Sequence, residues 1–137
     1  MEHSEPIRKR TVTFEPVSQR VIGAAIAVLK AVGPGFREEV YENALCIELE
    51  SRGIPYERQV QVPVFYRRRN VGTHILDLLV DKTVVIELKA VSSLANLHAA
   101  QAVSYLRAAN LRVGLVLNFG ETPLGIRRVV NRYEPTS

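Results

Sequence analysis

The sequence predicts one α/β domain of the α+β type, with a central mixed β-sheet flanked by α-helices. Two observations support this fold class. Apolar residues recur at helical spacing from about residue 16 to residue 52, and β-branched apolar runs dominate residues 60 to 90. Another helical stretch and two further apolar runs follow, so the expected order of elements is α-α-β-β-β-α-β-β.

Length and composition suit one compact domain, because 47% of the 137 residues are hydrophobic. We expect a flexible N-terminal arm at residues 1–14, the domain at 15–132 and a C-terminal tail at 133–137. The polar N-terminus lacks a signal-peptide pattern, and the apolar run 21–29 is far shorter than the ~20 residues that span a bilayer. The single Cys46 excludes an intramolecular disulfide and fits a reducing compartment. These features predict a cytoplasmic protein without a membrane span.

Two helices are expected first. Pro16 suits the first turn of a helix, and Gly33-Pro34-Gly35 would end that helix. A second helix should run from about Arg37 to Arg52, with Gly53 just beyond its end. Cys46 lies in the middle of this helix, and no His is near it in sequence, so we expect a small buried apolar side chain rather than a nucleophile.

The middle of the chain predicts strands. Val60, Val62 and Val64 alternate with polar residues, although Pro63 suggests an edge or irregular position. Residues 73–80 and 84–90 form two nearly continuous apolar runs around a short turn, which predicts a sheet covered on both faces. The remaining expected elements are a helix from Leu94 to Ala109, a buried strand from Arg112 to Phe119 and a last strand from Ile126 to Asn131.

Three charged residues interrupt the two apolar runs: Asp77, Glu87 and Lys89. Burying them unpaired would cost several kcal/mol each. Two carboxylates are hard oxygen ligands suited to Mg²⁺ or Mn²⁺, and the backbone carbonyl of Leu88 could add a ligand. Lys89 could orient an attacking water or stabilise negative charge beside a phosphate. The spacing therefore fits a divalent-metal phosphodiesterase site, and a salt bridge of Lys89 to a nearby carboxylate is the alternative.

This hypothesis sets a geometric condition on the hairpin. Directly opposed residues of a hairpin share a face, so a site requires residue 77 to oppose residue 87. Residue 80 would then oppose residue 84, which leaves the three-residue loop Asp81-Lys82-Thr83. A two-residue loop would place Glu87 on the wrong face.

Two helical segments offer further candidates. Glu38 and Glu42 are four residues apart and share a helical face, where they are either solvated surface carboxylates or neighbours of a cation or a basic group. On the later helix, His98, Gln101 and Tyr105 share one face. Gln101 could bind a water or phosphate oxygen and Tyr105 could donate to phosphate, whereas the alternatives are a core-edge tyrosine and a satisfied polar histidine. The absence of a second His or Cys in these segments argues against zinc.

The net charge of +4 is compatible with a polyanionic partner. Arginines cluster at residues 67–69 and at 127, 128 and 132. They are either solvated polar residues or phosphate-binding residues.

The segments GFREEVYE, IPYERQVQVPVFY, DLLVD, VIELKAV and GLVLNFG occur in this order, with Gln101-x3-Tyr105-Leu106 before the last. Over about residues 16–131 this pattern resembles the GxxExxY family of the PD-(D/E)xK nuclease-like superfamily. The resemblance implies a restriction-endonuclease-like core with a four-stranded mixed sheet between helices.

The resemblance also implies roles for individual residues. Asp77 and Glu87 would bind the metal together with Glu38, Lys89 would belong to the Glu-x-Lys pair, and Gln101 would match the polar helix motif, with Tyr105 assisting. One departure is Ile75, where the family often has an arginine, which puts a substrate contact in doubt.

Three functional hypotheses follow. The first is a Mg²⁺- or Mn²⁺-dependent nuclease that hydrolyses DNA or RNA. The second is a non-catalytic nucleic-acid-binding module with the same fold. The third is a structural or interaction protein, such as a homodimer, in which the polar cluster is only an ion-pair network.

Overall fold

The computed structural model describes residues 4–132, with side chains from residue 16 onward. Its elements follow the expected order, and the predicted α+β fold with a mixed sheet between helices is confirmed. They are α1 (Ser4–Val32), α2 (Glu38–Ser51), β1 (Tyr56–Tyr66), β2 (Arg69–Val80), β3 (Val84–Lys89), α3 (Asn96–Ala109), β4 (Val113–Asn118) and β5 (Gly125–Val130).

Helix α1 differs from the expected first helix. It begins at Ser4 and continues through Pro16, rather than beginning at that proline. Residues 1–3 and the tail at 133–137 lie outside the described residues, and the side chains of residues 4–15 are not described. The division into arm, domain and tail therefore stays a prediction.

The five strands form one sheet in the order β1-β2-β3-β4-β5. Strands β3 and β4 are parallel, because α3 connects them across the sheet, and the other neighbours are antiparallel. The resemblance implied four strands, whereas β5 adds a fifth by pairing with β4.

The sheet separates two apolar cores. One core lies between the sheet and helices α1 and α2, and the other lies between the sheet and α3. Strand β4 is buried along its whole length, and β3 is buried up to Leu88, as continuous apolar runs predict. Each fully buried Leu or Ile contributes about 1.5–3 kcal/mol to folding.

The turn between β2 and β3 meets the condition set by the sequence. Val80 pairs with Val84, which leaves the three residues 81–83 between the strands. Asp81 and Lys82 both have positive φ, 52° and 58°. The ladder ends at the pair Leu78–Ile86, and the next opposed positions are Asp77 and Glu87.

The regular alternation of side chains between the two faces of the sheet is interrupted in β2 at Asp77. Leu78 and Val80 contribute to the core beneath α1 and α2, whereas Leu76 contributes to the core beneath α3. On the neighbouring strand, Gln59 has a φ of 51° and interrupts the regular pairing opposite Asp77. The irregularity in both strands opens the sheet locally, so a polar side chain is accommodated within an apolar run.

No helix within residues 4–132 has the length and apolar character needed to cross a membrane.

Candidate active site

Asp77 and Glu87 meet where β2 separates from β3. The Leu88 N–H donates to Asp77 Oδ2 at 2.8 Å, and the Asp77 N–H lies 3.4 Å from Glu87 Oε2. Carboxylate oxygens thus replace backbone carbonyls as acceptors just beyond the last ladder pair. These contacts give the backbone N–H groups of Leu88 and Asp77 an acceptor where the strands separate, and they bring the two carboxylates together.

The two carboxylates are electrostatically unfavourable in this position. Burial, followed by the charge of Asp77, raises the pKa of Glu87 to about 8. Burial also raises the pKa of Asp77, with further increases from the charges of Glu42 and Glu38. Desolvation and like charges both favour the protonated form, and a bound cation would reverse both effects.

Lys89, the last residue of β3, is half-buried beside the pair. Its positive charge lowers the pKa values of both Asp77 and Glu87, which opposes the effect of burial. The effect of burial exceeds that of Lys89 for both groups, so one lysine does not neutralise the pair. Within residues 16–132, Lys89 forms no ion pair with a carboxylate, so a simple salt bridge does not account for the cluster.

Glu38 is the exposed first residue of α2. Its charge raises the pKa values of both Asp77 and Glu87, which places Glu38 on their side of the molecule. Tyr41 fixes this end of the helix: its hydroxyl donates to the Gly33 carbonyl at 2.7 Å and accepts from the Phe36 N–H at 3.1 Å. The buried Tyr41 ring also stacks on Phe119 at 4.7 Å.

Glu42 has a different role from Glu38. It is 8% exposed, so it is not a solvated surface carboxylate. Arg58 Nη2 donates to its Oε2 at 2.9 Å, and Gln59 Nε2 donates to the same oxygen at 3.0 Å. Glu42 therefore anchors the irregular part of β1 to α2.

Helix α3 faces the pair from the other side of the sheet. The ring of Tyr105 stacks on the ring of His74, with centroids 3.4 Å apart. The Nε2 atom of His74 is buried without a hydrogen-bond partner and lies 3.8 Å from Glu87 Oε2. Burial and the charge of Lys89 lower the pKa of His74, which favours a neutral ring.

Sequence reasoning missed His74. On a regular strand, a residue three positions before Asp77 faces the opposite side of the sheet. The interrupted alternation at Asp77 instead brings His74 to the Glu87 carboxylate. Nothing in the residue pattern predicts that interruption.

The other predicted residues of α3 are placed as follows. Gln101 is half-buried one turn before Tyr105, and its role stays a prediction. His98 Nδ1 accepts the Ala95 N–H at 3.0 Å, so His98 is a satisfied polar residue at the start of α3.

Cys46, on α2, is buried, as expected, and burial raises the pKa of its thiol.

The donor set partly fits a divalent cation. Within residues 16–132, no three His, Cys, Asp or Glu side chains form a group that could hold a metal ion. Asp77 and Glu87 supply two hard oxygen donors, and Mg²⁺ is commonly held by one or two carboxylates while it retains several waters. The residues therefore fit a two-carboxylate site, and the ligand roles expected of Glu38 and the Leu88 carbonyl stay predictions.

A second buried polar cluster, at the carboxyl end of β4, was not predicted. Asn118 is fully buried, and its Nδ2 donates to the Val91 carbonyl at 2.9 Å and to Glu121 Oε2 at 2.6 Å. Its Oδ1 accepts the N–H groups of Val91 and Gly120 at 2.9 and 3.0 Å. This cluster ties the segment after Lys89 to the turn after β4.

Comparison with known proteins agrees with this fold. The family model described as the PD-(D/E)XK nuclease superfamily matches residues 15–129. The chain belongs to the PD-(D/E)XK nuclease superfamily. The assignment of Asp77, Glu87 and Lys89 to the motif that gives this superfamily its name stays a prediction. The finer assignment to the GxxExxY family stays a prediction.

The fold of this PD-(D/E)XK protein is also similar to a solved structure, described as the crystal structure of SSO0001, with 18% sequence identity and a TM-score of 0.57. The match covers 91% of the chain and 63% of the SSO0001 chain. At this identity the likeness shows the fold alone. No curated protein matches the chain.

Proposed function

We propose that this protein is a nuclease that uses Mg²⁺ or Mn²⁺ to hydrolyse phosphodiester bonds in DNA or RNA. The main support is the pair of a half-buried Asp77 and a buried Glu87, both with raised pKa values, beside Lys89 in a PD-(D/E)XK fold. Burying such a pair lowers stability unless a cation binds it, and groups with perturbed pKa values concentrate at functional sites.

The chain's own groups have distinct roles in this proposal. Asp77 and Glu87 would hold the cation, with Glu38 as a further ligand, and the cation would polarise the phosphate and activate water. Lys89 stabilises negative charge on the phosphate and orients the attacking water. Gln101 positions that water from α3, and Tyr105 donates to a phosphate oxygen.

A direct assay tests this proposal. Single- and double-stranded DNA and RNA are incubated with the protein and with Mg²⁺, Mn²⁺ or EDTA. We expect metal-dependent cleavage of at least one substrate, and a loss of about 10²–10³-fold in rate in Lys89→Ala, the size typical for removing one group that stabilises a developing charge. Asp77→Asn should lose at least as much.

Lys82→Ala is the matched control, because Lys82 is exposed at the turn of the same hairpin. Cleavage that persists undiminished in Asp77→Asn and Lys89→Ala would come from a contaminant and would contradict the proposal.

A non-catalytic nucleic-acid-binding module is the second candidate, because the arginines at 67–69 are exposed. It predicts salt-sensitive binding without metal-dependent turnover. Homodimer formation and a cytoplasmic location stay predictions.

A further inference from the structure

The far end of the β1–β2 hairpin projects from the domain as a two-stranded ribbon, residues 63–73. Every residue of this ribbon is exposed, whereas Val62 and Leu76 just before and after it in the hairpin are buried. Both faces of the ribbon are therefore free of the described core. A strand rises about 3.3 Å per residue, so Arg69 lies roughly 26 Å along β2 from Asp77.

The ribbon combines positive charge with exposed aromatic groups. Residues 59–76 contain three arginines, Arg67, Arg68 and Arg69, and no Asp or Glu. Phe65 and Tyr66 are 60% and 63% exposed, and the Arg67 guanidinium lies 5.6 Å from the Tyr66 ring centroid. Arginine beside aromatic rings, with no acidic residue among them, is the composition of a nucleic-acid contact surface.

The turn of the ribbon has arginines at conformationally unfavourable positions. Tyr66 pairs with Arg69, so Arg67 and Arg68 form a two-residue turn, and their φ angles are 49° and 68°. Such turns favour Asn and Gly, because other residues are strained at positive φ. The conformation of the turn therefore gives no reason for arginine at positions 67 and 68. Two guanidinium groups at the tip of the hairpin do suit phosphate binding.

We propose that this ribbon lies in the major groove of duplex DNA while the scissile strand occupies the Asp77–Glu87 site. This inference rests on the proposed nuclease function and names its substrate as B-form DNA. Two strands lie about 4.8 Å apart, and the major groove of B-DNA, about 12 Å wide, admits a two-stranded ribbon. The deep, narrow major groove of duplex RNA does not.

The length of the ribbon sets the footprint on DNA. At about 3.4 Å per base pair, the roughly 26 Å between Asp77 and Arg69 corresponds to about 8 base pairs. Arg67, Arg68 and Arg69 would therefore bind phosphates nearly one helical turn from the cleaved bond.

Fluorescence anisotropy in EDTA tests binding separately from catalysis. The probes are a 16-base-pair DNA duplex, the corresponding single strand and a duplex RNA of the same length. The variant R67Q/R68Q/R69Q is compared with R20Q/K30Q/K82Q, which removes the same charge at three exposed positions elsewhere. Circular dichroism and urea unfolding confirm that both variants fold.

We expect the wild type to bind duplex DNA at least about 10-fold more tightly than the single strand or duplex RNA. The ribbon variant should lose at least about 10-fold in DNA affinity, and its log–log salt slope should fall by ~2.7, or 0.9 for each lost phosphate contact. The control variant should change less than about threefold.

Equal DNA binding by the two triple variants would overturn this inference. Tighter binding of single strands or duplex RNA would overturn the major-groove assignment. Self-association that depends on the ribbon, with unchanged DNA affinity, would show that a second copy of the chain occupies this surface instead. Cleavage assays separate the two proposals, because metal-dependent cleavage lost in Asp77→Asn supports the nuclease function even where the ribbon inference fails.

Discussion

The two buried polar clusters of this sheet differ in how well their groups are satisfied. The amide of Asn118 donates two hydrogen bonds and accepts two, all within the protein. The carboxylates of Asp77 and Glu87 repel each other, and burial raises both pKa values. A fully satisfied cluster stabilises the fold, whereas an electrostatically unsatisfied cluster is suited to bind something else.

The largest expected effect on stability comes from breaking the satisfied cluster. Asn118→Ala leaves the buried N–H groups of Val91 and Gly120 without their acceptor, and we expect a loss of about 3 kcal/mol in the free energy of unfolding. Urea unfolding measures this loss. Asn43→Ala is the control, because the Asn43 side chain accepts an exposed hydrogen bond from Arg58 and should cost less than 1 kcal/mol, about the value of one such bond.

The pH dependence of stability should distinguish the two clusters. The pKa of Glu87 is about 8 in the folded protein and near 4.5 unfolded, so the folded state binds more protons between these values. Stability should therefore fall as pH rises through this window, by at most about 2 kcal/mol from pH 6.5 to 8. The pKa of His74 is lowered, so His74 makes stability rise with pH, mainly below pH 6.5.

Glu87→Gln removes the titrating group, so its unfolding free energy in EDTA should be nearly flat over the same range. Asn118→Ala should retain the wild-type slope from a lower starting value. A wild-type protein with no slope would contradict the electrostatic description of the pair.

Glycine 120 provides a steric test of the satisfied cluster. An added Cβ at Gly120 would lie 2.1 Å from the Val91 carbonyl oxygen, whereas one at Gly72 would meet nothing within 4 Å. We expect Gly120→Ala to lose about 2 kcal/mol through overpacking and Gly72→Ala to change little. Thermal unfolding compares the two variants, and equal melting temperatures would show that the 90–95 segment adjusts without cost.

The smallest expected effect is stabilisation by metal. If the dissociation constant of Mn²⁺ is near 1 mM, 10 mM Mn²⁺ should add about 1.4 kcal/mol to the unfolding free energy at pH 8. Asn118→Ala should gain as much as the wild type, and Asp77→Asn should gain nothing. Isothermal titration calorimetry measures Mn²⁺ binding to the same three proteins. An equal gain in unfolding free energy in all three would place the metal elsewhere.

Most of the fold could be predicted from the pattern of apolar residues. The switch from helical spacing to β-branched runs identified the order of all eight elements, because each period reflects which face of an element is buried. The start of α1 was not predicted, because Pro16 suits an N-terminus yet lies inside this helix. Asp77, Glu87 and Lys89 were recognisable because charged residues are rare in buried strands.

The sequence by itself thus determined the order of elements, the superfamily and the charged residues that interrupt the buried strands. Only the tertiary structure decided how these residues are used. It paired Glu42 with Arg58, brought His74 to Glu87 and satisfied Asn118 within a loop, since each contact joins segments that are distant in sequence. Local periodicity reports which side of an element is buried, and it contains no information on which distant side chains meet there.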